Sequence, residues 1–454
     1  MPEQLMFNAF VMGAPTHNSA GLWRHPDAQQ LRYADLDHWV TIAKKLEEGH
    51  FDAIFFADVL GLFGRYNDSY DVYVKEGLKF PIDDSLALVA ALIGSTENLG
   101  LAFTSSIIQE LPYTFARRVS TLDHLSKGRI AWNIVTSGIE TAHLNMGLEG
   151  FTDHDERYRW AEEYLDVLFK LWEGSWEDDA VVADVETGIY ARPEKIHRID
   201  HVGERYKVQG PHMTEPSPQR TPFLFQAGSS GTGRRFAARY AEGQFVVADD
   251  PAGATRIISS VRDLAVEEGR RPNDIKFFQG LLFVIGSTDR EAQARYEEIQ
   301  SYRNYEAVAA EAGGNLGVDF GKLGLDDVVD FENAQGGLGP LQALAAQSKT
   351  GKVTVRDYLH SRAESHTIIG SPETIADELE KWRDAGIDGV NMMNRMLPKD
   401  YVDFVDHVVP VLQTRNLIKK EYAPGSLREK LTGAPRLNDR HPATRYRGAF
   451  VDPL

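Results

Sequence analysis

The stretch FDAIFFAD, residues Phe51–Asp58, is a continuously apolar run that ends in a carboxylate. Such a run is typical of a parallel β-strand buried on both faces, because a half-exposed strand would alternate apolar and polar residues. Seven further runs of this kind occur along the chain: Leu5–Met12, Leu99–Ser105, Arg129–Thr136, Pro222–Ala227, Gln244–Ala248, Ile275–Ile285 and Asp388–Met393. The chain therefore has about eight candidate strands.

Amphipathic helices are predicted between these runs. Tyr33–Glu48 and Glu156–Trp172 carry apolar residues at helical spacing. Pro372–Ala385 has proline at a first-turn position and is followed by Gly386 as a stop signal. Repeated strand-then-helix units favour a parallel sheet, and eight such units favour an α/β fold of the (β/α)8 TIM-barrel class.

The length of the chain indicates insertions in this barrel. A bare barrel needs about 250 residues, whereas the chain has 454. We predict a single TIM-barrel domain over residues 1–423, with large insertions at about 60–85, 181–219 and 300–366. Residues 424–454 are polar and lean basic, and we expect them to form an extended C-terminal tail on a surface.

The composition excludes several classes of protein. The chain has no cysteine, so disulfides, thiolate metal sites and cysteine nucleophiles are excluded. It carries 67 Asp+Glu against 49 Lys+Arg without a basic block, so no nucleic-acid partner is expected. We expect a cytoplasmic protein without a membrane partner, because neither a signal peptide nor a membrane-length apolar run is apparent. Metal-ligand spacings of histidine are absent, so no metal is predicted.

Polar residues follow several of the candidate strands, at the end of a barrel where active sites form. Asp58 ends the second strand, where a buried carboxylate is costly unless it is hydrogen-bonded, either to a ligand or to a loop N–H. Thr104 ends the third strand, and Asn133, Thr136 and Ser137 belong to the fourth. His17 follows the first strand and could be a general acid or base, although a lone loop histidine is more often surface.

Two segments could bind a phosphate. Gln226–Gly233 (QAGSSGTG) combines a strand end, two serines and three glycines with the start of a helix, which suits an anion but also fits a plain strand-to-helix turn. Asp153 and Glu156 are spaced as a capping box. Tyr158 would then lie in the first turn of a helix, where its phenol either donates to a phosphate or merely packs.

Longer stretches resemble the bacterial-luciferase-like two-component flavin monooxygenases, in the branch of the nitrilotriacetate, dibenzothiophene-sulfone and long-chain-alkane enzymes. The resemblance extends almost end to end. It is carried by NAFVM (8–12), GLWRHP (21–26), FDAIFFAD (51–58), RRVSTLDHLSKGRIAWNIVTS (117–137), DHDERYRWAEEYLDVLFKLWEGSWEDDA (153–180), PSPQRTPFLFQAGSS (216–230) and VDFVDHVVPVLQ (402–413).

The resemblance implies a TIM barrel that uses reduced FMN, supplied by a separate NAD(P)H-dependent flavin reductase, and O2 as co-substrate. A flavin (hydro)peroxide then oxygenates or cleaves a small organic substrate. Homodimers or homotetramers are expected. We assign His17 and Ser137 as candidate catalytic residues. The residues that the resemblance places at FMN are Asp58, Thr104, Asn133, Thr136, Tyr158, Gly228, Ser229 and Ser230.

The substrate pocket departs from the alkane-oxidising members that this chain resembles. Those members place a cysteine, a tyrosine and two histidines where this sequence has Ala14, Phe63, Gly138 and Glu311, and only His17 is retained. Smaller residues favour a bulkier, ring-shaped substrate, with riboflavin cleaved at its ribityl chain as one candidate. Sulfones, alkanes and aminopolycarboxylates are alternatives, as are a deazaflavin-dependent hydride-transfer enzyme and a non-catalytic flavin-binding protein.

Overall fold

Thirteen strands form within the part of the chain that the computed structural model describes, which is residues 4–62, 64–316, 318–329, 344–345, 348, 351–364 and 366–451. In chain order they are β1 (Met6–Met12), β2 (Ala53–Ala57), β3 (Gly100–Ser106), β4 (Ile130–Val135), β5 (Val181–Asp184), β6 (Ile189–Ala191), β7 (His201–Val202), β8 (Lys207–Val208), β9 (Phe223–Gln226), β10 (Gly243–Val246), β11 (Lys276–Ile285), β12 (Thr367–Gly370) and β13 (Gly389–Met393).

Eight of these strands close into a parallel barrel. They pair in the order β1, β2, β3, β4, β9, β10, β11 and β13, and β13 returns to pair with β1. Each of the eight apolar runs overlaps one barrel strand, so the predicted TIM barrel is confirmed. The strands are continuously apolar because one face packs on helices and the other fills the barrel.

Aromatic rings fill the barrel interior. Phe55 lies between Phe10 and Phe225, with ring centroids 5.4 Å and 5.1 Å away. Phe225 in turn contacts Phe278 at 5.4 Å. A Cβ at Gly280 would come within 2.7 Å of the Phe245 ring, so glycine makes room for an aromatic neighbour. This layer forms a solid floor beneath the C-terminal end of the barrel.

Fifteen helices accompany the strands within the described ranges. They are α1 (Leu36–Glu48), α2 (Asp71–Lys75), α3 (Ser85–Leu92), α4 (Pro112–Leu125), α5 (Glu140–Asn145), α6 (His154–Phe169), α7 (Gly231–Tyr240), α8 (Pro251–Glu267), α9 (Asp289–Ser301), α10 (Tyr305–Leu316), α11 (Val355–Glu364), α12 (Pro372–Asp384), α13 (Lys399–Asp403), α14 (Val409–Thr414) and α15 (Leu427–Thr432). No helix among the residues that the structure describes is long and apolar enough to cross a membrane.

Side-chain caps set the starts of the predicted helices. Asp35 accepts a hydrogen bond from the N–H of Asp37, so α1 begins three residues after the predicted start. Asp153 accepts from the N–H groups at the start of α6, which therefore begins at His154. Tyr158 is thus the fifth residue of α6. It lies at the start of the second turn and not, as expected, in the first.

The insertions carry their own small elements. Hairpins β5–β6 and β7–β8 occupy the segment 181–219, and β12 extends β11 beyond the barrel. The first and third insertions share a hydrophobic cluster that includes Tyr73 of α2, Ala307 of α10 and Tyr358 of α11. These two insertions therefore pack on each other.

The C-terminal segment includes a buried helix. Leu427 and Leu431 of α15 belong to the same cluster as the barrel-interior residues Phe55 and Phe223. Arg428 forms a buried ion pair with Glu242 at 2.7 Å. The segment 424–454 is therefore not wholly an extended surface tail, because the N-terminal end of the barrel exposes apolar side chains that α15 covers.

Candidate active site

A cavity of about 280 Å³ lies at the C-terminal ends of β2, β3, β4 and β9. Seven residues predicted from the sequence line it: Asp58, Thr104, Thr136, Ser137, Gly138, Tyr158 and Gly228. Of the remaining predicted residues, Asn133 is hydrogen-bonded to Thr104. Ser229 and Ser230 belong to the turn that follows Gly228. Phe63 lies outside the described residues. Within the described ranges, no group of three His, Asp or Glu side chains could hold a metal ion.

Thr104 and Asn133 form one wall of this region. The Thr104 hydroxyl donates to the Phe56 carbonyl at 2.8 Å, so it must accept from the Asn133 amide at 3.0 Å. This chain of bonds leaves Asn133 Oδ1 buried, without a hydrogen-bond partner in the described part of the protein. A buried acceptor without a donor is rare in native proteins. The wall therefore offers an acceptor to a ligand N–H or O–H group.

Asp58 lines the same cavity as Thr104 and is hydrogen-bonded to the first turn of α3. Its carboxylate accepts a hydrogen bond from the N–H of Ser85 at 3.1 Å. Burial raises the pKa of Asp58 to about 6, and the N–H bond only partly offsets this effect. Near neutral pH the group is thus a carboxylate held in a poorly hydrated position. It would be stabilised by a ligand that donates a hydrogen bond.

The raised pKa predicts how stability depends on pH. Because the folded pKa lies above the unfolded value, folded Asp58 binds more protons, and wild type loses stability as pH rises from about 4 to 6. Asp58→Asn should therefore gain about 2 kcal/mol over wild type at pH 8 and little at pH 4. Urea unfolding of both proteins at the two pH values measures this difference.

The exposed Asp263 on α8 gives a control for this comparison. Asp263→Asn should change the unfolding free energy by less than about 0.5 kcal/mol at both pH values. An Asp58→Asn variant whose advantage is the same at pH 4 and pH 8 would refute the raised pKa.

The two segments predicted to bind a phosphate, Gln226–Gly233 and the start of the helix that carries Tyr158, lie next to each other. Ser230 caps α7, and its hydroxyl accepts from the N–H of Gly233 at 3.0 Å. A Cβ added at Gly228 would lie 2.9 Å from the Tyr158 hydroxyl, and one at Gly233 would lie 2.7 Å from it. The phenol of α6 therefore projects over the turn that begins α7. The Tyr158 and Ser230 hydroxyls therefore lie at the N-terminal end of α7, which favours an anion.

His154 and Gln226 also belong to this cradle; no role was predicted for His154 from the sequence, and Gln226 was named only as the first residue of the segment Gln226–Gly233. His154 Nε2 lies 3.1 Å from the Ser230 hydroxyl, and the Gln226 side chain accepts from the N–H of Gly228 at 2.7 Å. The signals for them were weak. His154 is simply the first residue after a helix cap, and Gln226 is a polar residue at the end of an apolar strand.

Ser137 has an unusual backbone. Its φ of 52° lies in the left-handed region, which a residue with a side chain seldom adopts. Its hydroxyl donates to the Ser106 hydroxyl at 2.7 Å. At the next residue, Gly138, an added Cβ would meet no heavy atom within 4 Å. The strained turn thus presents a hydroxyl pair beside open space, as a substrate pocket requires.

His17 belongs to a second cluster, which does not line the cavity described above. Its ring lies 4.8 Å from that of Phe10 in the barrel floor. Burial and the positive charge of Lys79 hold the pKa of His17 well below its usual value, so the imidazole is neutral at physiological pH. Its Nδ1 is buried without a partner among the described residues.

The predicted pocket residue Glu311 joins the His17 cluster through an ion pair. Its carboxylate lies 2.6 Å from the Lys79 ammonium, and both side chains are largely shielded from solvent. Ala14, buried on the loop between β1 and His17, completes the predicted pocket residues that the structure describes. The structure therefore divides the site into the cavity of about 280 Å³ and a separate group around His17.

These observations fit a flavin phosphate ester. The cradle around Gly228 leaves no room for a Cβ, and Asn133 Oδ1 lacks a donor, so the two ends of the cavity suit a phosphate and a heteroaromatic ring. Carboxylate, amide and hydroxyl groups are the partners that such a ring can hydrogen-bond.

Comparison with known proteins identifies the family of this chain. Residues 10–389 match the family model described as luciferase-like monooxygenase. The chain is 42% identical to the dimethyl-sulfide monooxygenase of Hyphomicrobium sulfonivorans, over 99% of this chain and 95% of that protein. It is 41% identical to the long-chain alkane monooxygenase of Geobacillus thermodenitrificans, over 98% of this chain and 99% of that protein.

Solved structures agree as well. A crystal structure of riboflavin lyase, with modified FMN and riboflavin as substrate, superposes with a TM-score of 0.89 at 34% identity, over 98% of this chain and all of that one. The branch expected from the sequence is thereby confirmed, and its named members are monooxygenases. The chain belongs to the luciferase-like monooxygenase family.

Proposed function

We propose that this protein is the oxygenase component of a two-component system, which takes reduced FMN from a separate NAD(P)H-dependent flavin reductase and uses O2 to oxygenate or cleave an organic substrate. The observation that carries the proposal is the cavity with a phosphate cradle at one end and a hydrogen-bonding wall at the other. A relative named as component A of nitrilotriacetate monooxygenase, 34% identical over 90% of this chain, supports the two-component assignment.

Each end of the cavity would hold one part of the cofactor. Tyr158, Ser230 and the N–H groups at the start of α7 would bind the phosphate, as charge-assisted hydrogen bonds. Asp58, Thr104 and Asn133 would orient the ring. When bound in its reduced form, the flavin supplies the electrons that activate O2, so that one oxygen atom enters the substrate and the other leaves as water.

The cluster of His17, Lys79 and Glu311 would transfer protons to or from the substrate. Neutral His17 could accept a proton through Nδ1, which has no partner among the described residues, or pass one on, and burial together with the positive charge of Lys79 favours the unprotonated imidazole. Ser137, bonded to Ser106, would orient groups that enter the open space beside Gly138. These roles are the proposal that follows from the geometry.

The open space at Gly138 favours a bulky substrate. Riboflavin, cleaved at its ribityl chain, is the first candidate to test, since the riboflavin lyase structure contains riboflavin as substrate. Sulfones, alkanes and aminopolycarboxylates are the alternatives. A single domain over residues 1–423, a homo-oligomer and a cytoplasmic location stay predictions from the sequence.

A reconstituted assay tests the proposal. The protein is mixed with a generic flavin reductase, NADH, FMN and each candidate substrate, and products are followed by mass spectrometry. We expect a product that has gained one oxygen atom or lost a fragment, with label from 18O2, only when reductase and FMN are both present. Omitting the reductase is the control. Turnover with a reduced deazaflavin and no O2 would instead identify a hydride-transfer enzyme.

A further inference from the structure

Arg395 is a buried cation at the functional end of the barrel. It lies two residues beyond the end of β13, and its side chain is only 3% exposed. One guanidinium nitrogen, Nη2, donates to the Thr367 hydroxyl at 2.6 Å. The other, Nη1, is buried without a hydrogen-bond partner in the described part of the chain. Residues at the ends of barrel strands are the ones that usually act on ligands.

The charge of Asp400 acts on the Arg395 guanidinium, but the two side chains form no ion pair in the described part of the chain. The Asp400 carboxylate instead accepts from the backbone N–H groups of Arg395 and Met396, at 2.6 Å and 3.0 Å. Burial raises the pKa of Asp400 to about 6, which weakens its charge further in acidic solution. Arg303 adds a second positive charge nearby. A buried charge that lacks a close counter-ion is costly unless a ligand supplies one.

Further N–H donors without partners lie in the segments that pack around this point. They are Gln300 Nε2 at the end of α9 and, on the loop that carries His17, Trp23 Nε1. The loop and the end of α9 are in contact, since the Arg24 guanidinium donates to the Tyr302 carbonyl at 2.5 Å. Leu22 and Met396 belong to the same hydrophobic cluster, which joins the loop to the residue after Arg395.

We propose that Arg395 binds an oxyanion group, such as a carboxylate, of the organic substrate. The inference rests on the proposed function, because it places the anion on the β13 side of the barrel end, beside the loop of His17 and across the barrel from the FMN cavity. Of the substrate classes named above, aminopolycarboxylates carry such a group, whereas riboflavin and alkanes do not. An anion at this subsite would therefore favour an aminopolycarboxylate over riboflavin, the first candidate named above, so the binding test decides between these two candidates.

Binding of simple probes tests the subsite without flavin or O2. The melting temperature of the full-length protein is measured against sodium benzoate, sodium sulfate and neutral benzamide, at constant ionic strength. Benzoate should raise it in a saturable way, and benzamide should not. In Arg395→Gln the apparent Kd for benzoate should weaken at least about tenfold, since the charge-assisted hydrogen bond from Nη1 is lost. Arg395→Lys keeps the charge but not the planar guanidinium, so its apparent Kd for benzoate should lie between those of wild type and Arg395→Gln.

A second measurement separates binding from a structural role. Without probe, Arg395→Gln should melt at or above the wild-type temperature, because the substitution removes a buried charge without an ion pair. Arg440→Gln, which breaks the ion pair with Asp274 at 2.8 Å, serves as control and should keep the full benzoate shift. Three results would overturn the proposal: no benzoate shift in wild type, an equal shift in Arg395→Gln, or an Arg395→Gln that melts lower or fails to fold.

Comparing the benzoate and sulfate probes also distinguishes an organic anion from an inorganic one. A shift with benzoate that exceeds the shift with sulfate supports an organic anion, whereas sulfate alone would indicate a site for inorganic ions and overturn the substrate assignment. The melting experiments contain no flavin, so a negative result in them does not contradict the proposed monooxygenase activity. Equally, failure of the reconstituted assay does not contradict anion binding at Arg395.

Discussion

Gly228→Ala is expected to weaken FMN binding by at least about 100-fold. The added Cβ would lie 2.8 Å from the Gly233 backbone, 2.6 Å from the Gln226 amide and 2.9 Å from the Tyr158 hydroxyl. The methyl group would occupy the cradle and push the phenol away from the start of α7. Overpacking of this kind costs about 1–3 kcal/mol, and a lost bond to a charged group costs about 1.5–3 kcal/mol more.

Fluorescence titration of FMN measures this effect, and milder variants give a graded series. Tyr158→Phe and Ser230→Ala each remove one hydroxyl, so each should weaken binding about tenfold. Gly150→Ala is the matched control, because a Cβ at Gly150 meets nothing within 4 Å. FMN affinity that stays unchanged in Gly228→Ala would mean that the phosphate binds elsewhere.

His17→Ala is expected to lower kcat by about 10²-fold or more while FMN affinity changes little, since general acid–base groups contribute about 10²–10⁴-fold. His17 can exchange a proton because it is neutral and buried and its Nδ1 has no partner within the described ranges. It does not line the FMN cavity, so cofactor binding should be separable from turnover. Steady-state kinetics with an excess of reductase, alongside an FMN titration, measures both.

Two further variants test whether the loss of turnover is specific to His17 and whether Lys79 sets its pKa. His407 is exposed on the helix after β13, so His407→Ala should keep wild-type turnover. Lys79→Gln removes the positive charge that lowers the pKa of His17, so the acidic limb of the pH–rate profile should move to higher pH. Unchanged turnover in His17→Ala would reject the proton-transfer role.

The barrel was predictable because its signal is local and strong. A strand such as Phe51–Asp58 is buried on both faces, so it must be apolar at every position, and eight repeats of that pattern leave few alternatives. The missed elements lack such a signal. Strands β5 and β6 are largely exposed, and α15 spans six residues whose burial depends on the distant floor of the barrel.

The candidate site was predictable in its parts. Asp58 and Ser137 follow strands and Thr104 lies near the end of β3, and parallel strands bring their ends to one edge whatever the side chains do. The glycine-rich turn and the capping box at Asp153 marked two helix starts. Neither pattern could tell that Tyr158 projects from the second turn of α6 onto the turn at Gly228, because that contact depends on how two helices pack.

The sequence by itself determined the barrel and the residues at the strand ends, since periodicity and composition record burial along the chain, and the resemblance of long motifs indicated the family. Only the tertiary structure decided which polar groups have partners. Lys79 pairs with Glu311 and acts on His17, whereas one guanidinium nitrogen of Arg395 has no partner among the residues that the structure describes. The reason is physical: hydrogen bonds and ion pairs between distant residues depend on ångström-scale placement, which only the packing of strands, loops and insertions fixes.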